Sequence, residues 1–286
     1  MVRTPTAVAP RDERALALSV AELVVAQVRG RSVVERALAR SPLHLLTPKN
    51  HGHAAWAFVA SFGGGLVRGD HVTLSIGVEP EATALVTTQA QTKVYKAEGG
   101  FDAGQSTEAR VEDGGLLVLL PDPVACFKDA SYTQASTVRL AGPRASVVHL
   151  EALTCGRVAH GERWAFTRYR ATTRVLRGER VLVHDATVLD AAHGDVARKM
   201  ARFEAMATLI AVGPRAAATS AAILARATGK LSAHGDVVCS ASALGAGEGA
   251  LLRVAASTVD GVTSLLCAVL APLTVELGDD PFARKW

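Results

Sequence analysis

Polar and apolar residues alternate along much of this chain. The clearest run is His71 to Glu79, where Val72, Leu74, Ile76 and Val78 share one face and Thr73, Ser75, Gly77 and Glu79 the other. That is the pattern of a half-buried strand. Pro80-Glu81 interrupts it, and Ala82 to Tyr95 continues as a second extended segment rich in Thr and Val. Leu116–Leu120 ends at Pro121-Asp122-Pro123, and Ala141-Gly142-Pro143-Arg144 separates Thr137–Leu140 from Ser146–Leu153 at what reads as a chain reversal. Arg177-Gly178-Glu179 reads as the tip of a hairpin joining Phe166–Leu176 to Arg180–Leu189. Phe203–Val212 is one more strand, stopped by Gly213-Pro214.

Helical spacing occurs late. Arg215–Ala227 is Ala-rich, follows a proline and ends near Gly229, which predicts a helix. Val262, Leu265, Leu266, Val269, Leu270 and Leu273 form one apolar stripe, with Ser257 or Thr258 available as a cap and Pro272 as a stop. Many short strands plus two α-helices in the C-terminal third predict one mainly-β domain over 15–286. The polar, Pro-containing residues 1–14 are expected to be disordered. No alternating strand–helix rhythm supports a dinucleotide-binding sheet.

Composition narrows the classes. At 286 residues and 49% hydrophobic, the chain can bury a core, and its net charge of +4 without a basic block argues against nucleic acid. Leu265–Leu277 contains Pro272 and Glu276 and falls short of the ~20 apolar residues of a bilayer span. The first residues show no secretory apolar run, and the four cysteines are too far apart for a CxxC pair or a disulfide framework. A cytoplasmic protein without membrane contact is the expectation.

Candidate chemistry is sparse. The glycines of Phe62–His71 open a strand and lack the Lys-Ser/Thr of a phosphate loop, so they read as a tight turn. Asp70 is an unusual carboxylate directly before an apolar strand. His51 and His53 would sit on one side of an extended segment as a weak metal half-site, although Asn50–His53 reads equally as an exposed loop. The other histidines are scattered singly. There is no GxSxG, and Cys126 and Cys155 lie in apolar contexts where a thiol is inert. Asp70, Glu151 and Asp185 keep open a carboxylate-dependent carbohydrate-active enzyme on a β-solenoid-like scaffold.

The order of motifs is more specific. Gly63-Gly-Gly-Leu-Val-Arg-Gly-Asp70, Thr87-Thr-Gln-Ala-Gln-Thr-Lys-Val-Tyr-Lys96, Leu119-Leu-Pro-Asp-Pro-Val124, Glu151–Glu162, Phe203–Leu209 and Ala283-Arg-Lys-Trp286 follow one another at ordinary loop spacings. In this the chain resembles the UreD (UreH) family of urease accessory proteins from about Ala15 to its end.

The resemblance implies layered, β-helix-like sheets and a role without catalysis. It implies urease apoprotein, a UreF-type helical accessory protein and, indirectly, a UreG-type GTPase as partners, with Ni²⁺ as transient cargo and no tightly bound cofactor. It also implies nickel passage through an internal channel, with Asp70, Thr92, Glu151 and Asp185 as lining by motif position. Scattered carboxylates and hydroxyls suit passage, because a closed His/Cys shell would trap the ion. A storage protein for nickel would need that closed shell. Lys93, Tyr95 and Lys96 are candidate partner contacts, and the apolar stripe of Val259–Leu277 reads as core cover.

Overall fold

The structure is a computed structural model, and it describes residues 19–49, 52–97, 102–228, 235–245 and 247–283. The disorder expected of residues 1–14, the candidate metal residue His51 and the closing residues 284–286 lie outside these.

The centre is a stack of parallel coils. Each coil runs along one sheet, turns, and returns along a second. On the first sheet lie β5 (His71–Val78), β8 (Ala103–Val111) and β11 (Ser131–Leu140); on the second lie β6 (Thr83–Thr88), β9 (Leu116–Leu120) and β12 (Ser146–Thr154). The pairs β5/β8, β8/β11, β6/β9 and β9/β12 are all parallel. Buried Val72, Leu74, Ile76 and Val78 turn one face of β5 inward, as their alternation predicts.

Two short strands, β7 (Thr92–Val94) and β10 (Val124–Cys126), pair in parallel and form a narrow third side. The extended segment anticipated over Ala82–Tyr95 is therefore two strands broken at Gln89–Gln91. The polar loop there turns the chain from one side of the coil to the next.

Ala141–Arg144 is a corner, not a hairpin: β11 and β12 belong to different sheets. Glycine and proline serve a sheet-to-sheet corner as well as a reversal, so local sequence cannot separate them. Three such corners stack, and Arg144 clamps them by contacting Glu81 at 2.7 Å and Asp113 at 2.8 Å.

Antiparallel pairs complete both sheets. The first adds β1 (Ser19–Val28) with β2 (Arg31–Ala39) at one edge, and β13 (Arg168–Arg177) with β14 (Arg180–Asp190) at the other. The β13/β14 pair turns at Gly178, as expected. The second adds β3 (Leu43–Leu46) and β4 (Ala55–Ser61) at one end. At the other end it adds β15 (Ala205–Val212), β17 (Gly249–Ala256) and β16 (Val237–Leu244). Strands β1, β13 and β4 themselves join the central strands in parallel.

Helices cover the outer face of the second sheet. They are α2 (Ala217–Leu224), α3 (Val259–Leu270) and α4 (Leu273–Leu277), with a one-turn helix, α1 (Val196–Met200), before β15. The Thr258 side chain accepts from Gly261 N and starts α3, whose buried Val262, Leu266, Val269 and Leu270 face the sheet. Pro272 separates α3 from α4. Two cores result, one between the sheets and one between the second sheet and the helices. Among the described residues no helix is long and apolar enough to cross a membrane.

Candidate functional site

The inter-sheet core is not uniformly apolar. Parallel register puts Leu74, Thr107, Ser136 and Thr173 in one row across the first sheet, and antiparallel pairing of β13 with β14 adds Asp185. Neighbours in such a row stand ~4.8 Å apart. Opposite, the pairing of β12, β15 and β17 aligns Glu151, Thr208 and Arg253. Thr107, Thr173, Asp185 and Thr208 are buried.

The rows touch. Thr173 Oγ1 donates to Glu151 Oε2 at 3.3 Å, and Tyr169 Oη reaches Glu151 Oε1 at 3.4 Å. Gln134 Nε2 donates to Tyr169 Oη at 3.1 Å. The Arg253 guanidinium pairs with Asp185 Oδ1. Burial raises the pKa of Glu151 and the charge of Asp185 adds to the rise, while hydrogen bonds from Gln134, Thr173 and Tyr169 oppose it.

One end of this polar track opens into a cavity of about 190 Å³ between the sheets. Gln105, Thr107, Gln134 and Ser136 line it from the first sheet, and Thr87, Thr88, His149 and Glu151 from the second. Thr92 and Asp122 close the corner beside it. Thr88 and Asp122 hold that corner reciprocally: Thr88 Oγ1 donates to Asp122 Oδ2 at 2.9 Å and accepts from Asp122 N at 2.7 Å. A second cavity, about 290 Å³, lies beyond the same corner against Val259, Val262, Leu266 and Phe282. Thr88–Gln91 and Pro121–Asp122 line both.

The structure thus brings Thr92 and Glu151 to one cavity and places Asp185 on the polar track that leaves it. Asp70 is not among the lining residues. It ends the glycine turn before β5, and its Oδ2 accepts from Val67 N at 2.8 Å. His53 packs by α4, its Nε2 2.7 Å from Glu276 O. Lys93 and Lys96 are exposed and Tyr95 half-buried on the narrow third side. No group of three or more His, Cys, Asp and Glu able to hold a metal occurs among the described residues. Cys126 and Cys155 are buried free thiols, and desolvation raises both pKa values, that of Cys155 to about 11.

Sequence reading missed His149, Gln134, Tyr169 and Arg253. For His149 a signal existed: it lies two residues from Glu151 on a segment already read as a strand, and so shares its face. The others come from different coils, and only register unites them.

The motif residues converge on the third side. Leu66 of the glycine turn bridges Val94, and a Cβ on Gly65 would stand 2.5 Å from Lys93 O. Tyr95 meets Phe127 edge-on at 5.1 Å, and the Arg157 guanidinium lies 4.1 Å above the Phe127 ring. Arg157 in turn makes two bonds to Glu162, at 2.8 and 2.5 Å. Four separated segments therefore build one corner of the coil.

Comparison with known proteins identifies relatives of this chain. The family described as "UreD urease accessory protein" matches residues 18–286. "Urease accessory protein UreD" of Sorangium cellulosum (strain So ce56) is 54% identical over 265 residues, 93% of this chain and 83% of that protein. Its namesake in Anaeromyxobacter sp. (strain Fw109-5) is 39% identical over 282 residues, 98% of this chain and 94% of that protein. "Urease accessory protein D" of Arabidopsis thaliana is 29% identical over 295 residues, 93% of this chain and the whole of that protein. With the family matched from Leu18 to Trp286, the chain belongs to the UreD urease accessory proteins.

Proposed function

We propose that this chain is a non-catalytic conduit that carries Ni²⁺ to urease apoprotein inside a complex with UreF-type and UreG-type accessory proteins. The observation that carries the reading is the polar track through an apolar core, from the Thr92 corner past Glu151 to Asp185. Burying hydroxyls and carboxylates costs free energy unless each is satisfied. Their alignment in facing rows therefore asks for a reason beyond stability.

Ni²⁺ would move as a hydrated ion, exchanging waters for the hydroxyls of Thr107, Ser136 and Thr173 and for the Glu151 carboxylate. Such weak, scattered oxygen ligands let the ion leave. Entry would come from the second cavity, across the Thr88–Asp122 corner, and Asp70 would act near the mouth that its turn helps to shape. Lys93, Tyr95 and Lys96 offer a polar contact to a partner on the same side. The four free cysteines suit a reducing cytoplasm. A carbohydrate-active enzyme is not favoured: Asp70 caps its own turn, Asp185 is held by Arg253, and 190 Å³ is below the ~300 Å³ where ligand pockets begin.

Co-expression of the chain with its own urease and accessory proteins tests the reading. A complex containing urease, with nickel-loaded enzyme only when this chain is present, is the expected result. Full nickel loading of urease in its absence would sink the conduit.

A further inference from the structure

His149 is the least explained side chain of the inter-sheet core. It is 3% exposed, lines the 190 Å³ cavity, and its Nδ1 has no hydrogen-bond partner outside its own residue. A buried nitrogen without a partner in the surrounding core costs stability. A neutral imidazole offers a nitrogen lone pair to a metal. Tyr132 Oη is a second buried, unpartnered atom, and Tyr132 lines the same cavity.

Position supplies the partner. Glu151 is two residues along β12, so both side chains project from one face with Cα atoms ~7 Å apart. A nitrogen and a carboxylate thus border one hollow. Gln105, Gln134 and Ser136, also in its lining, can hold water.

We propose that His149 and Glu151 form a two-ligand stop for one borderline divalent metal ion, completed by water, and that His149 gives the route its preference for Ni²⁺ over Mg²⁺. The preference rests on the conduit reading; the stop itself does not. Imidazole suits nickel, zinc and copper, whereas Mg²⁺ demands oxygen ligands and keeps its waters. Two protein ligands detain the ion without trapping it. Metal and proton compete for the Glu151 carboxylate, so binding is weakened by acid.

The test uses the full chain in whichever complex keeps it in solution, comparing wild type with His149→Gln and Glu151→Gln in the same preparation. The probe is Ni²⁺, read by equilibrium dialysis against excess Mg²⁺ and by nickel-edge X-ray absorption. Wild type should hold one Ni²⁺ more than either variant, with the ring scattering of a single imidazole and little competition from Mg²⁺. His149→Gln should weaken that site roughly ten-fold or more. Equal Ni²⁺ binding and equal Mg²⁺ competition in His149→Gln would overturn the stop, even if urease were still loaded. Absence of imidazole scattering in wild type would overturn it without recourse to a variant. Urease loaded equally with and without this chain, alongside His149-dependent Ni²⁺ binding, would remove the conduit and leave the stop.

Discussion

Asp185 of β14 and Arg253 of β17 join the two sheets through an ion pair whose halves differ in exposure: the carboxylate side chain is 5% accessible, the guanidinium 58%. Loss of either partner is therefore asymmetric. Arg253→Gln strands a buried charge and should cost about 2–3 kcal/mol. Asp185→Asn returns a mostly solvated arginine to water and should cost about 1 kcal/mol or less. Urea melts of the two variants check the order, and the reverse ranking would show that Asp185 is satisfied by something else.

The pH dependence of stability separates His149 from Glu151. The folded pKa of His149, about 4, lies below its ordinary 6.5. Its contribution is complete above 6.5 and is lost as pH falls between those values, by about 3 kcal/mol at the acid end. Glu151 has the opposite sign. Its pKa is raised above 4.5, so its contribution is present below that value and lost as pH rises through the folded pKa. Urea midpoints across the window should show a flatter acid limb for His149→Gln, and for Glu151→Gln a smaller loss on the alkaline side.

Two glycines of one turn should respond differently to alanine. Gly63 has φ +85° and open space around it, so Gly63→Ala should cost about 1 kcal/mol from backbone strain alone. At Gly65 a Cβ would press on Lys93 O at 2.5 Å, backbone against backbone, and Gly65→Ala should cost about 2–3 kcal/mol. Exchange of the Leu66 amide, bonded to Lys93 O at 2.8 Å, should accelerate in the second variant more than in the first.

Thr92→Leu tests passage rather than stability. Thr92 is half-buried at the corner of the inter-sheet cavity. Leucine there fills space and removes a hydroxyl. The expected outcome is an intact complex with urease whose nickel content falls several-fold, measured by elemental analysis of the purified enzyme. Normal nickel content would show that the ion does not pass this corner.

Much of the fold was legible because its signals are local. The alternation of Val72, Leu74, Ile76 and Val78 fixes β5, and the stripe from Val262 to Leu273 fixes α3 with its Thr258 cap. The one-turn α1 carries too few residues for a stripe. The exchange of sheets at Ala141–Arg144 depends on what the following strand pairs with, which no window of sequence contains. The site was legible only in part for the same reason. Thr92 and Glu151 could be named from motifs, but the hydroxyl row of Thr107, Ser136 and Thr173 draws one residue from each coil. Several motif residues, Arg157 and Glu162 among them, brace the corner beside Phe127.

Because rows are assembled at intervals of one coil, the hollow is written in a reading frame of parity. Inserting a single residue at the start of β11 would swing Tyr132, Gln134 and Ser136 to the outer face and bring their neighbours in. Polar lining would become surface along a whole rung, although composition had scarcely changed. Length variation among relatives should therefore gather at the corners and stay out of the strands.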